Sequence, residues 1–177
     1  MLTGIYKKLV AMVLERNSSN VGLLEVRATN NTVYYLPSSY DSNSFPYAVA
    51  QGYSQAVGTA GIILGSGNAA PTEDDYTLQT PITSGLSVTI TQSRGLDGSG
   101  NPYITFNLAI TNTSSATVII REIGYIQSLY TTTASGSSSG AGRRAFLIDR
   151  TVLPAAASIP AGGNGVITYT LKTTLAA

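Results

Sequence analysis

Few side chains in this 177-residue chain can do chemistry, because it has no Cys and no His. That removes disulfides, thiolate and imidazole metal ligands, and the usual general base together. Three stretches keep some potential. Glu73, Asp74 and Asp75 place carboxylates in a row, the oxygen chemistry that a hard cation such as Ca²⁺ favours. Consecutive side chains cannot all aim inward, however, and spaced ligands are missing. Asp97-Gly98-Ser99-Gly100-Asn101 has the same appeal with too few charges and no distal Glu. Turn chemistry accounts for both stretches. Gly65-Ser66-Gly67-Asn68 follows the short apolar run Ile62-Ile63-Leu64, where a phosphate-binding loop would lie. No Lys-Ser/Thr pair follows, and Pro71 with the acidic cluster stands where a helix should begin. No catalytic residue, cofactor or metal site is assigned, and no enzymatic activity is expected.

The elements that carry these residues are built from small neutral groups. Charged residues make up 11 % of the chain, against roughly 25 % in average soluble domains. A surface of Gly, Ser, Thr, Ala and Asn desolvates cheaply, which suits permanent packing against other subunits; exported β-rich proteins share this composition. A net charge of +1 argues against a nucleic-acid partner, which calls for a clustered basic face. Lys7-Lys8 precedes an apolar run of six residues, Leu9–Leu14, closed by Glu15 and Arg16. That run is too short for a membrane span and lacks a cleavage site, so neither a membrane nor a targeting signal is expected.

Along the chain, Met1–Arg16 has helical period, with Leu2, Ile5, Tyr6, Leu9 and Val13 on one stripe. Such a helix is not stable alone; it folds over its own sheet or docks as an arm on a neighbouring subunit. Gly22–Ala28 and Thr32–Leu36 form a hairpin across Thr29-Asn30-Asn31. Pro37–Tyr47 is a long loop whose Tyr40, Phe45 and Tyr47 offer aromatic contact area. Leu86–Gln92, Tyr103–Thr111 and Thr117–Gln127 alternate with period two and are expected as an antiparallel meander, irregular near Gly124. Leu129–Gly142 reads as a flexible excursion ending at Arg143-Arg144. Ala145–Leu153 and Val166–Leu171 are expected as a closing strand pair, with Phe146, Ile148 and Arg150 sharing one face. Pro154, Pro160 and Gly162-Gly163 force turns between them.

These elements define an all-β chain. They predict a single antiparallel β-sandwich over residues 17–177, jelly-roll-like with about eight strands, preceded by an N-terminal amphipathic helix over residues 1–16.

Three pieces of the sequence, in order, resemble small virion proteins of tailed bacteriophages. The first is Gly65-Ser66-Gly67 leading to Ala70-Pro71-Thr72-Glu73-Asp74-Asp75-Tyr76-Thr77-Leu78. The second is Asn112-Thr113 followed by Arg121-Glu122-Ile123-Gly124-Tyr125. The third is Leu147-Ile148-Asp149-Arg150-Thr151-Val152-Leu153 leading to Ile159-Pro160-Ala161-Gly162-Gly163. The resemblance covers residues 60–172 and implies a virion component assembled in the bacterial host cytoplasm. It brings no catalytic residues. The expected role is an accessory capsid (decoration or cement) subunit that partners the major capsid protein or other virion proteins. A homo-oligomer is expected, a trimer being natural at a threefold site. A tail, baseplate or fibre-adaptor subunit is the alternative, followed by a carbohydrate-binding adhesin using its tyrosines. The expected contact residues are Leu2, Ile5, Tyr6, Leu9 and Val13 on the helix, with Tyr40, Phe45 and Tyr47 on the loop.

Overall fold

A computed structural model describes residues 24–36, 60–131 and 142–172. The expected helix, the Pro37–Tyr47 loop and all eight expected contact residues (Leu2, Ile5, Tyr6, Leu9, Val13, Tyr40, Phe45 and Tyr47) lie outside these. The described residues are all-β, with strands β1 (Leu24–Arg27), β2 (Val33–Leu36), β3 (Gly61–Gly65), β4 (Leu86–Leu96), β5 (Pro102–Asn112), β6 (Val118–Thr131), β7 (Gly142–Ile159) and β8 (Asn164–Lys172). They form the hairpin β1-β2 and two three-stranded sheets, β3-β6-β7 and β4-β5-β8. The chain divides into two compact units. One holds the described residues of Met1–Thr83 and Arg121–Pro154, the other those of Ser84–Ile120 and Ala155–Ala177.

In the first unit the expected hairpin turns at Thr29-Asn30-Asn31. Asn31 is left-handed, at φ 64°, and the Asn30 carboxamide accepts the Thr32 N–H at 3.1 Å, an Asx turn that closes the loop locally. Val26 and Ala28 are buried, while Glu25 and Arg27, which alternate with them, are exposed. The Thr29 N–H donates to the Ala145 carbonyl at 3.0 Å, which ties the hairpin to β7. Strand β3 is buried along its whole length and runs antiparallel to β6, from Gly61 opposite Ile126 to Gly65 opposite Glu122. Ile63, Leu78, Ile126, Ala145 and Leu147 make one apolar cluster. Strand β6 runs unbroken through Gly124, where an irregularity was expected. A Cβ at that position would stand 2.9 Å from Leu78 Cδ2 and 3.0 Å from Leu147 Cδ1. The glycine is a packing requirement rather than a break.

Strand β7 differs from expectation at its far end. It continues through Pro154 to Ile159, so the turn is confined to the residues after Ile159. Proline's fixed φ is compatible with extended backbone, and among the described residues β7 lies at the edge of its sheet, where a missing N–H is tolerated.

The second unit holds β4, β5 and β8. Eleven residue pairs join β4 to β5 without interruption, Leu86 opposite Asn112 through Leu96 opposite Pro102. Strand β8 pairs with the other side of β5, Tyr103 opposite Lys172 through Thr111 opposite Asn164. Alternation sends Leu86, Phe106, Leu108, Ile110, Ile167 and Tyr169 into buried positions. Phe106 and Tyr169, register partners, stack with centroids 6.0 Å apart. The expected meander is not formed. Strand β6 leaves for the other sheet, β8 takes the place beside β5, and the two C-terminal strands belong to different sheets. Period-two patterning fixes which side of a strand is buried, but the partner strand is fixed by contacts distant in sequence.

Candidate functional site

Glu122 is the most enclosed charged residue described, with no exposed surface. It lies on β6 where the strand is buried on both faces, from Glu122 through Gln127. Four N–H donors converge on its carboxylate. Oε1 accepts from the amides of Gly67 at 3.1 Å and Thr80 at 2.8 Å. Oε2 accepts from the Gln79 amide at 3.1 Å and from Arg150 Nε at 2.7 Å. A carboxylate has about four lone-pair positions, so this one has no vacant position with which to take a proton from a substrate. The glycine loop explains its own composition here. A Cβ on Gly65 or Gly67 would come within 2.5 or 2.6 Å of Glu122 Oε1. The loop does cradle an anion, but the anion is a side chain of the same protein.

Arg150 completes the network from β7. Beyond Glu122, its Nη1 donates to Asp75 Oδ2 at 2.9 Å and its Nη2 to the Ala69 carbonyl at 3.0 Å. Asp75 in turn accepts the Thr72 amide at 2.8 Å and the Thr72 hydroxyl at 3.0 Å, and the Gln79 side chain accepts the amides of Asn68 and Ala69, both at 2.9 Å. The segment between Gly65 and Pro81 is thus pinned by polar contacts, closed at its ends by a bridge between those two residues. Of the acidic row, Asp75 is an ion-pair partner in this network, and Asp74 and Glu73 are exposed.

Burial alone would raise the Asp75 pKa. The Thr72 amide and hydroxyl and the Arg150 guanidinium outweigh it and hold the carboxyl below its ordinary 3.8. A depressed folded-state pKa gives stability that is present above the unfolded value and lost as pH falls through the folded one. Asp75→Asn is therefore expected to flatten the acid side of the stability profile. Urea unfolding at about pH 7 and about pH 3 should show a smaller pH-dependent loss for the variant than for the parent; equal losses would contradict the assignment.

A second polar hub lies in the other unit, around Asn112 at the end of β5, also fully buried. Its Nδ2 reaches the carbonyls of Ala116 at 2.7 Å, Ile159 at 2.9 Å and Pro160 at 3.1 Å. Its Oδ1 accepts the amide and hydroxyl of Ser114, at 2.9 and 2.7 Å. Its backbone N–H donates to Gly163 O and its carbonyl accepts from Gly162 N. Gly162 sits at φ 68°, a conformation open to glycine at no steric cost. One side chain thus sets both the turn that follows β5 and the turn between β7 and β8.

The Asp97–Asn101 segment is a turn, as expected. Asp97 Oδ1 accepts the amides of Ser99 at 2.8 Å and Asn101 at 2.9 Å. The Lys172 ammonium pairs with Asp97 and, with those amides, holds its carboxyl well below the usual range. Strand β6 extends to Thr131 and β7 begins at Gly142, so the first three residues and the last of the expected excursion are strand, and residues 132–141 lie outside the described residues. Of the two arginines at its end, Arg144 stacks over the Tyr34 ring at 5.1 Å.

Glu122, Arg150 and Asn112 were not singled out by type or spacing. The available signal was position, a charge or amide falling in the inward register of an apolar strand. The pieces quoted for the resemblance meet at these hubs: Gly65–Leu78, Glu122 and Arg150 at the first, Asn112 and Ile159–Gly163 at the second. No protein-family model, curated protein or solved structure matches the chain.

Proposed function

We propose that the chain is a non-enzymatic structural protein of a tailed-bacteriophage virion, an accessory capsid subunit that reinforces the shell. The observation that carries this reading is the role of the residues behind the resemblance. Asp75, Glu122 and Arg150 saturate one another and the backbone, and Asn112 saturates the backbone around it, so on this reading the resemblance lies in a way of holding strands together. The sparse charge of the chain supports it as well, since neutral surface is cheap to desolvate against a lattice. The jelly-roll-like sandwich is the proposed architecture of such a subunit. Bound at a junction between capsid subunits, it buries surface on each and favours the assembled shell by mass action. Leu2, Ile5, Tyr6, Leu9 and Val13, with Tyr40, Phe45 and Tyr47, are the proposed contacts with the major capsid protein.

The test uses particles produced by the genome that encodes the chain. Mass spectrometry and electron cryo-microscopy are expected to find the protein on the capsid at regular lattice positions. Purified protein is expected to bind expanded capsids lacking it and to raise the temperature at which they break. A particle without this chain, or one carrying it solely in the tail, overturns the reading.

A further inference from the structure

The β4-β5-β8 sheet has one buried face and one open one. Leu86, Phe106, Leu108, Ile110, Ile167 and Tyr169 are buried, and the residues alternating with them form five cross-strand rows on the other side. Four of these rows carry hydroxyls, carboxamides and methyls, and all but Thr105 in them are exposed. Hydrogen bonds knit the rows, Thr105 with Thr170 at 3.0 Å, Thr168 to Asn107 at 3.0 Å and Thr111 to Asn164 at 2.7 Å. The fifth row, Gly95, Tyr103 and Lys172, closes one end. A Cβ on Gly95 would stand 3.1 Å from the Tyr103 hydroxyl and 3.3 Å from its Cζ. The phenol of Tyr103 therefore lies over the glycine, half-buried, and a glycine inside a strand often marks such a close approach.

Charge and size decide what this face can take. The second unit has three charged side chains in its sequence, Arg94, Asp97 and Lys172. Lys172 pairs with Asp97, and Arg94 falls in the alternate register, on the other side of the sheet. The open face thus has no uncompensated side-chain charge, and an ionic ligand would lose its hydration there without meeting an opposite charge. Five rows two residues apart span about 27 Å, and three strands about 14 Å, an area of about 400 Å². That is half of the ~800 Å² that each partner gives to a standard protein interface, so a second copy seated face to face would gain too little. A neutral, hydroxyl-rich chain meets neither obstacle. Ser and Thr hydroxyls and the Asn carboxamide all donate and accept hydrogen bonds, as sugar hydroxyls do. The C–H side of a sugar ring suits the apolar body of a tyrosine.

We propose that the open face of this sheet binds a neutral polysaccharide. One sugar ring stacks on Tyr103, and the units that follow lie along β5 across the Ser, Thr and Asn rows. This goes beyond the virion reading and does not depend on it, because the purified chain carries the whole face.

The experiment measures binding of the full chain to biosensor surfaces coated with a β-glucan, a mannan, a galactan or dextran, with alginate as the anionic control. At least one neutral polymer is expected to bind the parent, to the same extent at low and high salt, and alginate is expected to bind it less. Tyr103→Ala should weaken that binding roughly three- to tenfold. Thr91→Glu, which sets a charge in the middle of the array, should weaken it at least as much. Thr91 is exposed, so the melting temperature of Thr91→Glu should match the parent's, which separates lost binding from lost fold. Arg94→Gln, on the other side of the sheet, is expected to bind as the parent does. The inference is overturned if none of the four neutral polymers binds, or if alginate binds best. Equal weakening by Arg94→Gln overturns it too, as does parental binding by both Tyr103→Ala and Thr91→Glu. A parent that dimerises in sedimentation velocity while Thr91→Glu stays monomeric would assign the face to a second copy instead.

Discussion

Glu122→Ala is expected to lower the unfolding free energy by about 3–5 kcal/mol. The substitution leaves the Arg150 guanidinium buried beside a hole. It also strips the acceptor from the amides of Gly67, Gln79 and Thr80. Glu122→Gln should recover little, since its amide nitrogen would face N–H donors that require an oxygen. The informative comparison is the double variant Glu122→Leu with Arg150→Met. Exchanging a buried ion pair for apolar side chains is often neutral or stabilising. Here three backbone amides would still lack an acceptor, each costing about 1–3 kcal/mol, so the double variant should remain well below the parent. Urea unfolding measures the loss, and hydrogen exchange at those three amides locates it. A loss under about 1 kcal/mol for Glu122→Ala, or parental stability in the double variant, would mean the carboxylate does not hold the loop.

Asn112→Asp is expected to cost about 3 kcal/mol or more, although it changes a single nitrogen to oxygen. Three carbonyl oxygens that now receive Nδ2 would each face a lone pair, and a buried acceptor left unsatisfied costs about 1–3 kcal/mol. The variant also has a pH signature. A carboxyl pressed against carbonyl oxygens has its pKa raised, because only the protonated form can donate. Its defect relative to the parent should therefore shrink as pH falls, opposite in sign to the Asp75 effect. A pH-independent defect would imply that the site relaxes to admit water. Asn112→Ala separates the terms, as it loses the donors without adding repulsion and should sit between Asn112→Asp and the parent at neutral pH.

Much of the fold is legible from side-chain alternation. Each stretch with period-two patterning is a strand in the structure, and Ile167, Tyr169, Phe106, Leu108 and Ile110 are buried as their register requires. The hairpin turn at Asn30-Asn31 is legible for a local reason, since asparagine tolerates the left-handed conformation and closes its own turn. Pro154 misled because its constraint on φ fits an edge strand as well as a turn.

Sequence by itself determined the strands, the inward faces of β5 and β8 and the scarcity of reactive groups, because these depend on residues within a few positions of one another. Strands β6 and β7 instead bury both faces over Glu122–Gln127 and Ala145–Arg150. Tertiary structure alone decided which strands pair, sending β6 to β3 and β7 and bringing β8 to β5. It alone brought Asp75, Glu122 and Arg150 together from positions 28 to 75 residues apart. An ion pair across such distances leaves no periodicity in the chain, and its cost of burial is repaid only once the surrounding amides are in place.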